Sequence, residues 1–404
     1  MDPIPSRPHG QEALAHFRQC VGKEATFLSY APGRVNLIGE YTDFNGGYVL
    51  PMAISQGVYA AASPRTDGRV RLWSARDGCG QVEFPVAEPG RDPGGGWTNY
   101  VRGVLAGLNA AGVTLPGFDG LVYADLPAGG GLSSSAALET AVATLGEALA
   151  GVVLDPVQKA LLCQKAEHEY AGTPCGIMDQ FAVTFAKRGH FLLIDCASLE
   201  RTLVPMPDDH VAILVINTMV RHSLNDGAYR ARRADCEEGA RLMGASMLRE
   251  VNVAKVEEAR ESLTEQLYRR ARHVTSENVR TLAAVDKLKQ GNWNELGQLL
   301  YASHASLRDD MNVSCDELDV VVEAARRIGP AGGVYGCRMT GGGFGGCCIA
   351  LVQATEAADI SAQIIADYLR ITGITPTIFS TKPSDGAAML MQPLTFSGKA
   401  GDAS

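Results

Sequence analysis

Hydrophobic residues in the first 125 positions cluster in short runs that are rich in β-branched and aromatic side chains. Runs of this kind, when Gly, Pro or Asp bounds them, are typical of strands. The predicted strands are ATFLSYAPGRVNLIG, VLPMAI, GVYAAASP, VRLWSA and FDGLVYADLP. A helix is predicted before them at QEALAHFRQC, residues 11–20.

Helical spacing then replaces the strand pattern. The stretch SSSAALETAVATLGEAL carries apolar residues three to four positions apart, as an amphipathic helix requires. The next helix, DPVQKALLCQKAEHEYAG, opens with Asp155 and Pro156, which suit its N-cap and first turn. Two strand candidates follow, HFLLIDCAS and HVAILVINT. The polar segment between them predicts a domain boundary, with domains at residues 1–205 and 206–404.

The remainder of the chain mixes helices with a few strands. The predicted helices are YRARRADCEEGARLMG, SENVRTLAAVDKLKQG, NELGQLLYASHASLRDD, CDELDVVVEAARRI and one near residues 356–370. A strand pair is predicted at GCRMTGGGFGGCCIALV and a last strand at TPTIFST. Because strands and helices are intermixed without a regular βαβ period, the predicted fold class is α+β.

Composition narrows the class of ligand. A chain of 404 residues with 46% hydrophobic residues can bury a large core. Its net charge of −9 gives no electrostatic reason to bind nucleic acid or an anionic membrane, so small molecules are the expected partners. The sequence shows no secretory leader and no run of 18 apolar residues, which predicts a cytoplasmic protein. The ten cysteines lack C-x-x-C spacing, which favours reduced thiols.

Three glycine-rich stretches carry candidate chemistry. GEYTDFNGG, residues 39–47, combines two carboxylates with aromatic side chains, more than a turn needs. PAGGGLSSSAAL, residues 127–138, brings backbone N–H groups to the start of a helix, which predicts an anion site, with a Ser-capped turn as the alternative. TGGGFGG, residues 340–346, fits G-x-G-x-x-G but precedes a strand, so a glycine-rich hairpin is favoured.

Two carboxylates and an arginine are further candidate catalytic residues. Asp179 follows a Gly/Pro break, and Glu167 lies in the preceding helix. A lone Asp in such a segment is typically an N-cap, but an arginine nearby would keep it ionised and orient it. Arg34 is the arginine that the chain offers, just ahead of residues 39–47.

Four stretches in this order, PGRVNLIGEYTDFNGG, LPAGGGLSSSAAL, CGIMDQFA and MTGGGFGGC, resemble the signature set of the GHMP small-molecule kinases. The first and third resemble the galactokinase family in particular. The resemblance implies an N-terminal domain like ribosomal protein S5 domain 2 and a C-terminal ferredoxin-like domain, with the active site in the cleft between them. It also implies that ATP phosphorylates the anomeric hydroxyl of galactose with Mg²⁺, giving galactose 1-phosphate. We expect a monomer.

The resemblance implies roles for the catalytic residues. Asp179 matches the base that takes the proton from the sugar hydroxyl, and Arg34 matches its partner. Ser135 and Glu167 match the residues associated with Mg²⁺. The residues matched to ATP binding are Gly129, Gly130, Gly131, Leu132, Ser133, Ser134, Ser135, Ala136, Trp97, Tyr100 and Gly343.

The sugar is matched to a second set of residues. Glu40 corresponds to the contact with the C6 hydroxyl, and Asp43 to the contacts with the C3 and C4 hydroxyls. Tyr41, Gly176 and Tyr229 are matched to the rest of the sugar pocket. Carboxylates suit a neutral polyol because a sugar of the wrong stereochemistry would leave them without partners.

Two positions depart from the family pattern GEHTDYN, since this chain has Tyr41 and Phe44 there. The larger ring of Tyr41 leads to the hypothesis of altered or broadened selectivity at C6. Two alternatives stay open: a sugar 1-kinase for N-acetylgalactosamine, arabinose or another hexose, and a sensor that binds galactose and ATP without catalysis. The Ser135–Ala136 pair, which the known sensor pattern lacks, favours the enzyme.

Overall fold

The structure is a computed structural model that describes residues 9–76, 80–127, 130–207, 209–221 and 225–393. The β-strands in these ranges are β1 Phe27–Asn36, β2 Tyr48–Val49, β3 Pro51–Arg65, β4 Arg69–Ser74, β5 Gln81–Pro85, β6 Gly117–Ala124, β7 His190–Asp195, β8 Arg201–Pro205, β9 Val211–Arg221, β10 Val334–Thr340, β11 Gly345–Gln353, β12 Thr377–Thr381 and β13 Ala388–Met391. The α-helices are α1 Gly10–Val21, α2 Thr98–Ala110, α3 Ser134–Ala150, α4 Pro156–Ala166, α5 Met178–Phe185, α6 Asn225–Leu242, α7 Val253–Glu258, α8 Glu265–Lys289, α9 Trp293–Ser306, α10 Asp316–Ile328 and α11 Ala357–Thr372. This mixture confirms the predicted α+β class.

The first sheet has six strands in the order β13-β1-β3-β6-β4-β5. Helix α3 packs against β1 and β3, and the Ser29 hydroxyl of β1 donates to the Ala141 carbonyl of α3 at 2.7 Å. Side chains that alternate with Ser29 point to the opposite face, where Tyr30 packs with Phe17 of α1. Helices α1 and α3 therefore cover opposite faces of this sheet.

The second sheet has four strands in the order β10-β11-β9-β12, and all its pairs are antiparallel. Numbered along the chain from β9, this order is 2-3-1-4, with helices between β9 and β10 and helix α11 between β11 and β12. This arrangement is the β-α-β-β-α-β pattern of a ferredoxin-like domain. The third sheet, β2-β7-β8, is small and packs beside the first.

The two halves of the chain share one hydrophobic core. Ile213 and Val215 of β9 belong to the same buried cluster as Val35 of β1 and Leu50. Leu214, which alternates with them, belongs to a second cluster among the C-terminal helices. The four-stranded sheet is therefore buried on both faces, and its inner face packs against the N-terminal half.

The element predictions hold in most places. Asp155 accepts from the backbone N–H groups of Val157 and Gln158, as expected of the N-cap. VLPMAI and GVYAAASP, predicted as two strands, are one continuous strand, β3. Strand β13 was not predicted, and it pairs with β1 in the first sheet, whose other strands all come from the N-terminal half. The boundary at 205/206 stays a prediction.

Two further findings bear on the composition-based predictions. None of the helices in the described ranges is both long enough and apolar enough to cross a membrane. Eight cysteines of the described chain have free thiols, whereas Cys20 is disulfide-bonded, so the prediction of reduced thiols is wrong at that position.

Candidate active site

A cavity of about 550 Å³ lies where the two halves meet. Three segments form much of its wall, and we name them the acidic loop (residues 39–47), the serine loop (residues 130–136) and the glycine hairpin (residues 340–346). The acidic loop and the serine loop belong to the N-terminal half, and the glycine hairpin connects β10 to β11. The cavity has the volume that is typical of small-molecule sites.

Arg34 and Asp179 form a two-pronged ion pair in the cavity wall. Arg34 Nε donates to Asp179 Oδ1 at 2.7 Å, and Arg34 Nη2 donates to Asp179 Oδ2 at 2.9 Å. The third nitrogen, Nη1, donates to the Gly131 carbonyl at 2.7 Å, which ties the arginine to the serine loop. Arg34 is 4% exposed, while the Asp179 side chain is 22% exposed, so the carboxylate is the more accessible partner. The pair keeps an oriented carboxylate at the surface of the cavity.

The start of helix α3 is open to an anion. Ser133 occupies the N-cap position with a left-handed φ of 58°, and its side chain makes no capping hydrogen bond within the described structure. Its hydroxyl donates instead to Asp179 Oδ2. The predicted alternative of a Ser-capped turn is therefore wrong, because the side chain of the N-cap serine bonds to Asp179 and not to the helix backbone. The first N–H groups of α3 remain available to a negatively charged ligand.

Glu167 lies beside the serine loop. It begins a π-helical turn, Glu167–Ala171, that continues α4, and such turns are frequent at functional sites. Its carboxylate accepts hydrogen bonds from Ser135, Cys175 and Gln180. Burial and the nearby negative charge of Asp179 raise the pKa of Glu167 to about 7, despite these bonds.

Asp43, in the acidic loop, lies in the cavity wall and is half-buried. Burial and the negative charge of Asp179 raise the pKa of the Asp43 carboxyl to about 6. Gly176 makes room for it, since a Cβ atom at position 176 would clash with the Asp43 carboxylate. The two predicted sugar residues are therefore in direct contact.

Glu40 holds the two halves of the protein together. Its Oε1 accepts from Thr340 Oγ1 at 3.1 Å and from the Gly341 N–H at 2.7 Å. Its Oε2 accepts from Asn36 and pairs with Arg338 at 2.9 Å. Burial raises the pKa of Glu40, although Arg338 acts in the opposite direction. A carboxylate has about four acceptor positions, so a sugar hydroxyl would have to displace one of these donors.

Helix α8 contacts the backbone of the acidic loop and of Tyr48, the residue that follows it. His273 Nε2 contacts the Glu40 carbonyl at 3.0 Å, and Glu277 accepts from the Gly39 N–H at 3.0 Å. The next residue of α8, Asn278, accepts from the Tyr48 N–H at 2.9 Å. Burial lowers the pKa of His273 to about 4, so its ring is neutral at pH 7 and donates from Nε2 to the carbonyl. These contacts fix the backbone at both ends of the acidic loop.

Tyr41 and Tyr229 lie in the cavity wall, and the ring of Phe44 packs against both. Tyr41 packs against Tyr229 with ring centroids 5.4 Å apart, and Phe44 packs against Tyr229 at 5.7 Å. The Tyr41 hydroxyl donates to the Gly342 carbonyl of the glycine hairpin at 2.6 Å. This hydroxyl therefore points to the protein and not into open solvent.

The structure brings most of the predicted residues to the cavity, with a few exceptions. Tyr100 and Gly343 lie in its wall, whereas Trp97 packs against the N-terminal core. Gly130 and Gly176 are not part of the cavity wall, although Gly176 contacts Asp43. Ala136 is fully buried in α3, and Gly129 lies outside the described residues.

Sequence reasoning missed the residues that position the site. Arg338 carried a signal, because a charged residue in the apolar strand GCRMTG needs a buried partner. His273 and Gln180 carried none, since their roles depend on elements that are far apart in the chain.

Comparisons with known proteins agree with this geometry. The profile described as the galactokinase galactose-binding signature matches residues 15–64. The GHMP kinases N terminal domain matches residues 99–187, and the GHMP kinases C terminal domain matches residues 284–370.

Relatives that match over most of their own length are also galactokinases. The chain is 46% identical to galactokinase of Homo sapiens over 385 residues, covering 94% of this chain and 96% of that protein. It is 45% identical to galactokinase of Chloroflexus aggregans over 368 residues, covering 89% and 93%.

Solved structures extend the similarity to three dimensions. Lactococcus lactis galactokinase complexed with galactose superposes with a TM-score of 0.89 at 34% identity, covering 94% of this chain and 99% of that one. Methanococcus jannaschii mevalonate kinase superposes with a TM-score of 0.63 at 18% identity, covering 89% and 98%. The second similarity concerns the fold alone.

Proposed function

The chain belongs to the galactokinase family, and on that premise we propose that it transfers the γ-phosphoryl group of ATP to the anomeric hydroxyl of galactose. The products are galactose 1-phosphate and ADP. The observation that supports this most is the two-pronged Arg34–Asp179 pair at the open start of α3. In this pair the base, Asp179, and the cation, Arg34, lie in one cavity beside a helix N-terminus that can bind an anion.

Asp179 accepts the proton of the anomeric hydroxyl as that oxygen attacks the γ-phosphorus. The new oxygen–phosphorus bond forms while the bond from phosphorus to the leaving ADP oxygen breaks. Arg34 and Ser133 hold both carboxylate oxygens, so the side chain cannot rotate away from the sugar. The charge of Arg34, fixed next to the serine loop by Gly131, also stabilises the negative charge that builds on the transferring group.

The nucleotide phosphates bind at the serine loop. The first N–H groups of α3 and its dipole attract negative charge to this point. The left-handed backbone of Gly131, with φ of 68°, allows the chain to turn into the helix. Tyr100 and the glycine hairpin complete the wall around the nucleotide.

The sugar binds between Asp43 and the aromatic rings. The Asp43 carboxylate accepts hydrogen bonds from ring hydroxyls, and Gly176 leaves it space to face the sugar. Tyr229 and Tyr41 offer apolar surface to the carbon skeleton of the sugar ring. The contact of Glu40 with the C6 hydroxyl stays a prediction, because protein donors already surround its carboxylate.

The residues beside the serine loop fit Mg²⁺ bound to the nucleotide. In the described part of the chain, no group of three or more His, Cys, Asp or Glu side chains could hold a metal ion on its own. Ser135 and Glu167 contact each other and supply oxygen atoms, the donors that Mg²⁺ takes together with substrate phosphates. The ion, when bound, neutralises phosphate charge.

Product identification tests the proposal. The purified protein is incubated with ATP, Mg²⁺ and galactose, N-acetylgalactosamine or arabinose, and the products are identified by ³¹P and ¹H NMR. We expect galactose 1-phosphate with the highest kcat/KM. A preference of about tenfold or more for another sugar would replace the substrate, and binding of galactose and ATP without ADP release would indicate a sensor. The relatives support neither alternative.

The cytoplasmic location rests on the sequence features described above, and the monomeric state was expected beside the family resemblance. Both stay predictions.

A further inference from the structure

Two neighbouring residues of the acidic loop contact two neighbouring residues of the glycine hairpin. The Glu40 carboxylate accepts from the Gly341 N–H at 2.7 Å, and the Tyr41 hydroxyl donates to the Gly342 carbonyl at 2.6 Å. The two bonds run in opposite directions, and they join segments that are 301 positions apart in the chain. The loop and the hairpin are thus tied across the cleft at two consecutive points.

The backbone of Tyr41 shows that this contact is enforced. Tyr41 has a φ of 65°, in the left-handed region that bulky residues adopt only when their surroundings impose it. Its side chain is 4% exposed and packs between Phe44 and Tyr229. The fold therefore holds a strained residue in the one orientation from which its hydroxyl reaches the hairpin.

At Gly342 the hairpin is held by the Tyr41 hydroxyl. A Cβ atom at position 342 would meet nothing within 4 Å, so this part of the hairpin has little packing on that side. At the neighbouring position 341, by contrast, a Cβ atom would lie 2.8 Å from the Gly131 carbonyl of the serine loop. The glycine hairpin therefore lies between the acidic loop and the serine loop and touches both.

We propose that the Tyr41 hydroxyl is a positioning group that couples the sugar half of the cavity to its nucleotide half. Sugar that packs against the Tyr41 ring holds the Tyr41 hydroxyl on the Gly342 carbonyl, and the hairpin in turn holds the serine loop through the Gly341–Gly131 contact. By linkage, each ligand then strengthens the binding of the other by the same factor. The inference rests on the proposed function, because it assigns the two halves to galactose and ATP.

Substituting Tyr41→Phe removes the hydroxyl and keeps the ring. Tyr368→Phe is a matched control, because the buried Tyr368 hydroxyl also donates to a backbone carbonyl, that of Thr218, at 2.8 Å. Tyr368 lies in α11, and it is not part of the cavity wall. Both variants lose one phenol-to-carbonyl hydrogen bond, but only one of those bonds crosses the cleft.

Calorimetry measures the coupling directly. Galactose is titrated into each protein with and without the non-hydrolysable nucleotide AMP-PNP and Mg²⁺. We expect AMP-PNP to lower the galactose Kd about fivefold in the wild type and in Tyr368→Phe, the equivalent of one net hydrogen bond. In Tyr41→Phe the two Kd values should agree within about twofold.

Hydrogen exchange of the ligand-free protein gives a second readout. The peptide that contains the glycine hairpin should exchange about fivefold faster in Tyr41→Phe than in the wild type or Tyr368→Phe. Equal coupling in Tyr41→Phe and the wild type, or no coupling in the wild type, would overturn the inference. A wild type that binds neither galactose nor AMP-PNP would overturn the proposed function instead.

Discussion

Replacing Asp179 by asparagine changes one oxygen atom and should stop the reaction. In the wild type both carboxylate oxygens accept: Oδ1 from Arg34 Nε, and Oδ2 from Arg34 Nη2 and from Ser133. An asparagine accepts with its single oxygen and presents an NH₂ group in place of the other. That NH₂ group faces a donor in either orientation of the amide, and it cannot take a proton from a sugar.

Two magnitudes follow from this geometry. Loss of the proton acceptor should lower kcat about a thousandfold, which corresponds to about 4 kcal/mol of activation free energy. Leaving a buried arginine unpaired costs about 3–5 kcal/mol in a fully buried pair. Because the Asp179 side chain is 22% exposed, we expect a smaller loss of unfolding free energy, about 2 kcal/mol.

Asp195→Asn is the matched control. Asp195 pairs with Arg249 at 2.8 Å, with side chains 19% and 26% exposed, and neither residue lies in the cavity wall. ADP release is measured with saturating galactose and ATP, and unfolding is followed in urea. We expect Asp195→Asn to lose stability and keep its kcat, whereas Asp179→Asn should lose both.

The reasoning fails if folded Asp179→Asn keeps its kcat within about tenfold of the wild type, because the base would then lie elsewhere. An equal loss of kcat in Asp195→Asn would show that damage to any such pair is sufficient. Arg34→Lys adds a further check: a lysine lacks the planar fork, so it should restore the charge but not the activity.

Three further outcomes are expected. Burial and Asp179 raise the pKa of Asp43 to about 6, above its ordinary value of 3.8, and only the charged form accepts sugar hydroxyls strongly. The galactose KM should therefore rise about tenfold per pH unit below 6 in the wild type and stay flat in Asp43→Asn. Since the fold disfavours the charged form of Asp43, its contribution to the free energy of unfolding falls as pH rises from about 4 to 6. Asp43→Asn should therefore have a higher Tm than the wild type at pH 8, and a lower Tm would contradict the raised pKa. Gly176→Ala should raise the galactose KM at least about tenfold and change the ATP KM less, because its Cβ displaces the Asp43 carboxylate; equal effects on both KM values would speak against a sugar contact. Glu139 is buried in α3 and accepts a hydrogen bond from Gln180. Burial and the charge of Glu167 raise its pKa well above the usual range, so Glu139→Gln mimics a neutral acid and should keep kcat within about threefold. Glu139→Ala leaves a cavity and should cost about 2–4 kcal/mol in urea unfolding; similar losses in both variants would mean that Glu139 is charged.

The sequence predicts the parts of this site that lie within a few positions of one another. The acidic loop, the serine loop and the glycine hairpin were all found as local patterns, and the structure brings them to one cavity. The pairing of Arg34 with Asp179 was also expected, although the two residues are 145 positions apart, because the family resemblance matches Arg34 to the partner of the base.

What the sequence did not predict depends on long-range packing. The left-handed backbone of Ser133 turns its hydroxyl to Asp179 and away from the helix that it begins. The opposite half of the protein supplies Arg338, Thr340 and Gly341 as partners of Glu40. No pattern near either residue contains this information, since the partners come from elements that meet only in the folded chain.

Strand β13 has a consequence for how the protein is made. It pairs with β1 and forms the edge of the sheet that otherwise contains strands from residues 27–124. While the ribosome is still adding residues 125–387, β1 has an unpaired edge, and such edges recruit other chains. The N-terminal half therefore completes its sheet only after nearly the whole chain has been synthesised. Nascent chains that stall before residue 388 keep this edge open and are the species for which chaperones should matter most.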